Sequence, residues 1–196
     1  MIAARTTGTP GAPLLLTFHG TGGNEHQFHA LAQDLLPHAH ITSPRGEVNE
    51  NGALRYFRRT GEGSFDMADL ATRTAQIADF IAAEQARTGA GHSIALGYSN
   101  GANIIASVSF AQPALLNDLI LLHPLIPFAP GPQPGLKGKR ILITAGQRDP
   151  ICPAALTQNL ADYYTTQGAE VALHWHPGGH EIVEAEVSAI RAFLTG

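Results

Sequence analysis

The sequence predicts one α/β domain spanning residues 1–196, with a mainly parallel sheet of about six or seven strands and helices on both faces. Three observations point there. Short apolar runs alternate with longer amphipathic stretches along the whole chain. Gly and Pro number 21 and 13, too many helix breakers for a helical bundle and suited to tight connections. The 196 residues exceed the roughly 150 of an average domain and can bury a sizeable core.

The strands are expected at residues 14–18, 40–43, 93–97, 119–123, 140–145 and 171–176, each an apolar run bounded by Gly, Pro or polar turns. A helix is expected over 66–87, where Leu70, Ile77, Phe80 and Ile81 share a face and Thr88-Gly89 ends it. A second follows the strand at 93–97 and covers 102–110. A third runs from Pro153, a suitable first helical residue, to Gln167 before Gly168. The last covers 181–194, with Ile182, Val183, Val187, Ile190, Phe193 and Leu194 at helical spacing. Between His123 and Lys139, prolines at 124, 127, 130, 132 and 134 forbid a long helix. That stretch reads as a stiff surface loop or as one wall of a pocket, since it leaves the carboxyl end of a strand.

Composition narrows the function classes. Hydrophobic residues make up 44% and charged residues 14%, which excludes disorder and coiled coil. A net charge of −4 with 12 Lys+Arg offers no basic surface for nucleic acid or an anionic membrane. The single cysteine, Cys152, excludes an internal disulfide framework and reads as a small buried hydrophobe. Neither a secretory leader nor an apolar span is visible, so a cytoplasmic protein without a membrane span is the default expectation.

The sharpest chemical signal is Gly97-Tyr98-Ser99-Asn100-Gly101, lying between a strand and a helix. That is the context of a nucleophile elbow, in which small neighbours let strand and helix converge and the serine stands exposed at the strand end. A serine needs a base to take its proton. The partners are expected in the order Ser, acid, His, each just past a later strand. Asp149, after the 140–145 strand, and His180, in Pro177-Gly178-Gly179-His180, meet that order. Asp149 could instead cap a turn; the competing acid, Asp162, lies within an expected helix. His174 and His176 are the rival histidines, and their alternation on a strand could suit a metal, but no third ligand stands at helpful spacing. No metal and no organic cofactor is expected.

An oxyanion requires backbone donors. One is expected from Asn100, the residue after the nucleophile, and the other from Thr21 in His19-Gly20-Thr21-Gly22-Gly23. A phosphate loop would need a Lys-Ser/Thr ending, which is missing here. Tyr56, Phe57, Arg58 and His123 are the candidate substrate-binding residues; the first three could equally form a solvated turn with one aromatic tucked into the core, and His123 could be a plain core histidine. Tyr98 is expected beneath the elbow, and His26 and His29 on a helix surface.

These segments, together with Ser43-Pro44-Arg45-Gly46 and Arg55-Tyr56-Phe57-Arg58-Arg59, resemble the α/β-hydrolase superfamily. Within it they resemble the small carboxylesterase/phospholipase branch, and in particular esterases associated with hydroquinone-type aromatic degradation. The resemblance covers about Leu14 to the end and implies Ser99, Asp149 and His180 as triad, with Thr21 and Asn100 as oxyanion donors. Only 13 residues precede Leu14, so the first strands of the larger fold are expected to be reduced or missing. No insertion is long enough for a lid domain, so an open, modest pocket is expected. The expected reaction is hydrolysis of small to medium carboxylic esters through an acyl-enzyme, the partner being a small-molecule ester. An acyl-thioesterase or lysophospholipase-like hydrolase is the alternative, followed by a non-catalytic ligand-binding protein of the same fold. A homodimer would follow from the resemblance alone.

Overall fold

A computed structural model describes residues 1–61 and 63–196. The chain begins with β1 (Ala3–Thr6) and then runs β2 (Leu14–Phe18) through the middle of the sheet. A short helix, α1 (His29–Leu35), leads to β3 (His40–Pro44). Two small hairpins follow: β4 (Val48–Glu50) with β5 (Ala53–Arg55), and β6 (Arg59–Gly61) with β7 (Ser64–Phe65). Then come α2 (Met67–Thr88), β8 (Ser93–Tyr98), α3 (Asn100–Ala111) and β9 (Asp118–Leu122). The last quarter holds β10 (Arg140–Gly146), α4 (Ala154–Thr166), β11 (Glu170–His176) and α5 (Glu184–Thr195).

Seven strands form one sheet in the order β1-β3-β2-β8-β9-β10-β11. Every neighbouring pair is parallel except β1 with β3. The expected α/β architecture is therefore what the chain adopts, and every strand expected from the sequence is present within a residue of its expected ends.

Strand alternation sorts the core into two layers. Leu14, Leu16, Ala95, Leu119, Leu121, Ile141 and Ile143 face α2, α3 and α4, and meet Ile77, Ile81, Ile104, Ile105 and Leu160. Leu15, Ile94, Leu96, Ile120, Leu122 and Leu142 face α1 and α5, and meet Ala32 and Ile190. Each fully buried Leu or Ile contributes about 1.5–3 kcal/mol relative to exposure. Exposed ion pairs such as Arg58–Asp66 add about 0–1 kcal/mol each. Burial thus outweighs surface charge in holding the strand ends where they are.

Local signals explain the helix limits. Asp66 caps α2 by accepting from Asp69 N at 3.0 Å, and Gly89 ends it at φ 68°. Pro153 precedes α4 as its cap rather than standing inside it. The Pro-rich stretch forms one 3₁₀ turn, Pro134–Leu136, as its missing N–H groups require.

The segment before Leu14 is reduced to one antiparallel edge strand, β1, which the sequence reading did not name. Its Arg5 donates to Glu84 of α2 at 2.8 and 3.0 Å, so a polar pair rather than an apolar stripe secures it. Among the described residues, no helix is long and apolar enough to cross a membrane.

Candidate active site

Parallel strands bring their carboxyl ends to one rim, where open α/β sheets place their sites. Thr21 follows β2, Ser99 follows β8, His123 follows β9, Asp149 follows β10 and His180 follows β11.

Ser99 sits at φ 52°, ψ −114°, a left-handed conformation that costs a non-glycine residue about 1–3 kcal/mol. Sterics and hydrogen bonds hold it there. A methyl group at Gly97 would lie 2.5 Å from the Gly101 carbonyl carbon, and one at Gly101 would overlap the Phe18 carbonyl, so only glycine allows strand and helix this close. Ser99 N donates to Leu122 O at 2.9 Å, and Ser99 O accepts from Asn103 N at 2.9 Å.

The side chains expected to meet do meet. Ser99 Oγ lies 2.9 Å from His180 Nε2, and His180 Nδ1 lies 2.7 Å from Asp149 Oδ2. Asp149 Oδ1 accepts from the backbone N–H groups of Ile151 and Cys152 at 2.8 and 2.9 Å. Burial pushes the Asp149 carboxyl up, but these backbone and imidazole donors outweigh it and hold it below its ordinary range. Tyr98 OH donates to His180 O at 2.6 Å, so the residue before the serine also fixes the histidine loop. Burial pushes that phenol up to about 12, which keeps it a donor at neutral pH.

Gly146 closes the frame. A methyl there would overlap the Gly179 carbonyl oxygen beside His180. Gly146→Ala is expected to lower the unfolding free energy by about 1–3 kcal/mol, the usual cost of overpacking, read from urea melts. A variant as stable as the parent would mean that the 178–179 loop yields freely.

The Thr21 and Asn100 N–H groups have no protein acceptor among the described residues, whereas Gly22 N and Gly23 N are spent on Leu54 O and Gly20 O at 2.9 and 3.0 Å. Several side chains rigidify this loop. His19 Nδ1 lies 2.7 Å from Gly20 O, while Nε2 accepts from Gly46 N at 2.9 Å, which places the proton on Nδ1. Burial lowers the His19 pKa and favours that neutral form. Gly20 N donates to Gln27 Oε1 at 2.8 Å. Arg55 Nη1 donates to Thr21 Oγ1 at 2.7 Å.

The four residues expected to touch substrate lie elsewhere. Tyr56 is buried, its hydroxyl accepting from His19 N at 3.1 Å and donating to Pro44 O at 2.8 Å. Tyr56 N also donates to Asn100 Oδ1 at 2.7 Å, so this stretch braces the elbow from behind. Phe57 is fully buried and packs edge-on against Phe65. Arg58 points to solvent and faces Asp66 and Asp69. His123 is fully buried at φ 49°, behind Asp149 rather than in the cleft.

That placement of His123 reveals a network the sequence reading missed. Its Nδ1 shares Asp149 Oδ2 with His180 at 3.0 Å, and its Nε2 faces Glu186 Oε1 at 3.0 Å. Glu186 also accepts from Thr144 Oγ1 and from Val183 N. His176 accepts from Gly178 N at Nδ1 and turns Nε2 towards Glu186 Oε2 at 3.5 Å. Burial works against an imidazolium at His123, but Glu186 and Asp149 outweigh it and raise its pKa. The triples His123–Asp149–His180 and His123–His176–Glu186 have donors within 4.8 Å of one another, types that could hold a metal ion. His123 belongs to both triples and stands between the two carboxylates.

A cleft of about 290 Å³ opens over Ser99 and His180. Arg55, Arg59, Phe65, Leu125 and Ile151 form its walls. Of the Pro-rich segment only Leu125 reaches it; residues 126–130 frame a separate cavity against α4. Cys152 is buried at the cleft floor, with Sγ 3.3 Å from His123 O.

Residues 3–196 match the family model described as Phospholipase/Carboxylesterase. The chain is 42% identical over 180 residues to the putative hydrolase MhqD of Bacillus subtilis, covering 91% of this chain and 90% of that protein. Two solved structures superpose closely. The protein Atu2452 from Agrobacterium tumefaciens, described as of unknown function, is 51% identical with a TM-score of 0.93, over 98% of this chain and 94% of its own. The Bacillus cereus carboxylesterase is 36% identical with a TM-score of 0.90, over 98% and 93%. With this fold and this sequence likeness over nearly its whole length, the chain belongs to the phospholipase/carboxylesterase family of α/β-hydrolase-type ester hydrolases.

Proposed function

We propose that this ester hydrolase is a serine carboxylesterase acting through Ser99, His180 and Asp149. The observation that carries the reading is the unbroken line from Ser99 Oγ to His180 Nε2 at 2.9 Å and from His180 Nδ1 to Asp149 Oδ2 at 2.7 Å. In the first step His180 Nε2 takes the Ser99 proton as Oγ attacks the ester carbonyl carbon. The carbonyl electron pair moves to oxygen, facing the Thr21 and Asn100 N–H groups. The tetrahedral intermediate collapses, the C–O bond to the alcohol breaks, and His180 returns the proton to the leaving oxygen. Water then attacks the acyl-serine with His180 again as base, freeing the acid and restoring Ser99. Asp149 holds the imidazole in the tautomer that presents a lone pair to Ser99 and stabilises the imidazolium formed twice per cycle.

A cleft of about 290 Å³ supports small to medium esters as substrates, since drug-sized ligands occupy pockets of about 300–1,000 Å³. A fluorophosphonate probe reads the nucleophile directly. The expected result is one covalent adduct per chain, mapped by mass spectrometry to the peptide containing Ser99 and missing from Ser99→Ala. A folded protein that takes up no probe, or a Ser99→Ala variant that still does, would reject the assignment.

A further inference from the structure

We infer that the cleft selects esters that carry a negative charge, a carboxylate or similar anion on the acyl or alcohol portion, through Arg55 and Arg59. This inference rests on the esterase reading and adds a substrate class to it.

Both guanidiniums belong to the wall of the cleft that contains Ser99, His180 and Thr21. Arg55 is the more unusual of the two. Only 5% of it is exposed, and full burial of such a cation is rare unless it is paired. Of its five N–H donors, one goes to Thr21 Oγ1 and one to Phe57 O. Three therefore have no hydrogen-bond acceptor among the described residues. Its planar group lies over the Phe57 ring, 5.8 Å from the centroid, which fixes the orientation of the fork.

Arg59 stands further out on the same wall, where β6 begins, and also lines the neighbouring cavity with Pro150 and Ile151. Both arginines share one carboxylate. Glu50 Oε1 accepts from Arg59 Nε at 2.8 Å, and Glu50 Oε2 lies 3.3 Å from Arg55 Nε. Among the described residues, two cations against one anion leave one positive charge at this wall. Asp149 pairs with His180 and His123 rather than with either arginine.

The rest of the wall is apolar: Phe65, Leu125 and Ile151. Low-dielectric surroundings strengthen the attraction between a guanidinium and a bound anion, and a guanidinium fork matches a carboxylate in two parallel hydrogen bonds. The link from Arg55 to Thr21 Oγ1 adds a consequence. A substrate anion at the arginines sits one residue from an oxyanion donor, so binding there orients the ester carbonyl over Ser99.

The test compares matched substrates on the full chain. Mono(4-nitrophenyl) adipate carries a carboxylate remote from its reactive carbonyl, and its methyl ester is the neutral partner with the same leaving group. 4-Acetoxybenzoate and methyl 4-acetoxybenzoate place the charge on the alcohol side. The readout is the ratio of kcat/KM, anionic over neutral, in the wild type, Arg59→Gln and Arg59→Glu. In at least one pair that ratio is expected to fall about tenfold or more from wild type to Arg59→Glu, the scale of one charge-assisted hydrogen bond, with Arg59→Gln between them. Added salt is expected to shrink the wild-type ratio. A fall of less than about threefold in both pairs overturns the inference and leaves the esterase reading intact.

Failure of that reading looks different: neither partner of either pair turns over. The same comparison is then made on Ser99→Ala by calorimetry, with monomethyl adipate against dimethyl adipate. Tighter binding of the anion that is lost on adding Arg59→Glu supports the site. Equal binding of the two overturns it.

Discussion

Asp149→Asn is expected to lower kcat on a 4-nitrophenyl short-chain ester about 10⁴-fold, the scale seen when a triad acid is made an amide. The environment of each oxygen makes the expectation specific. Oδ1 accepts from Ile151 N and Cys152 N, two donors that only an oxygen can satisfy. The new amide must therefore keep its oxygen there and turn its NH2 towards the Oδ2 position. At that position it meets Nδ1 of His180 and Nδ1 of His123. To accept from the amide, His180 must move its proton to Nε2, where it points at Ser99 and removes the base. Fold and cleft stay in place, so KM and circular dichroism are expected to change little. Stopped-time assays at saturating ester check this; a loss below about tenfold would show that Asp149 does not set the tautomer.

His123→Leu is expected to cost about 3–5 kcal/mol of unfolding free energy at neutral pH, the penalty for removing one partner of a buried charge pair. Asp149 and Glu186, both with fully buried side chains, face opposite nitrogens of His123 at 3.0 Å. Leucine fills the space but leaves two carboxylates without the cation between them, although each keeps its backbone donors. The sign of the pH dependence follows from the groups themselves. His123 has a pKa raised above its ordinary 6.5 in the fold, so its contribution is full below that value and fades as pH rises through the raised one. Asp149 and Glu186 are held below their ordinary values, so their contribution is present above those and fades in acid. His176, His180 and Tyr98 also face the ring, and Cys152 Sγ lies 3.3 Å from the His123 carbonyl oxygen. The gap between wild type and variant should thus be widest near neutral pH and narrow in alkali. Urea melts across pH test it; a variant within about 1 kcal/mol of wild type at pH 7 would show that the imidazole carries no charge.

How far the sequence reaches can be judged residue by residue. Ser99, Asp149 and His180 could be named because each has a local cause: a Gly-flanked serine between strand and helix, and an acid and a histidine just beyond later apolar strands. The α/β class follows equally from local pattern, as period-2 burial and helical spacing are properties of neighbouring residues. The stretch 55–59 shows where this stops. Tyr56 and Phe57 are aromatic and suit a pocket mouth or the core alike; both are buried, while Arg55 and Arg59 line the cleft. Composition cannot tell which of five consecutive residues faces Ser99, because that depends on how two small hairpins fold over a distant strand end. β1 escaped notice for a similar reason. Its hold is a polar pair to Glu84, 79 positions away, which leaves no apolar signature.

His123 marks the boundary between the two kinds of information. That it ends a strand on the catalytic edge is written in Leu119-Ile120-Leu121-Leu122 before it and Pro124 after it. That it turns inward at φ 49° and stands between Asp149 and Glu186 is decided only when α5 and the loop after β10 pack against the same strand end. The sequence by itself determined which residues end strands, and so which can reach the rim. Only the tertiary structure decided which of them face the cleft and which face one another. Strand ends are set by local backbone and solvent preferences, whereas a side chain's partner is set by segments far along the chain that close packing brings within 3 Å.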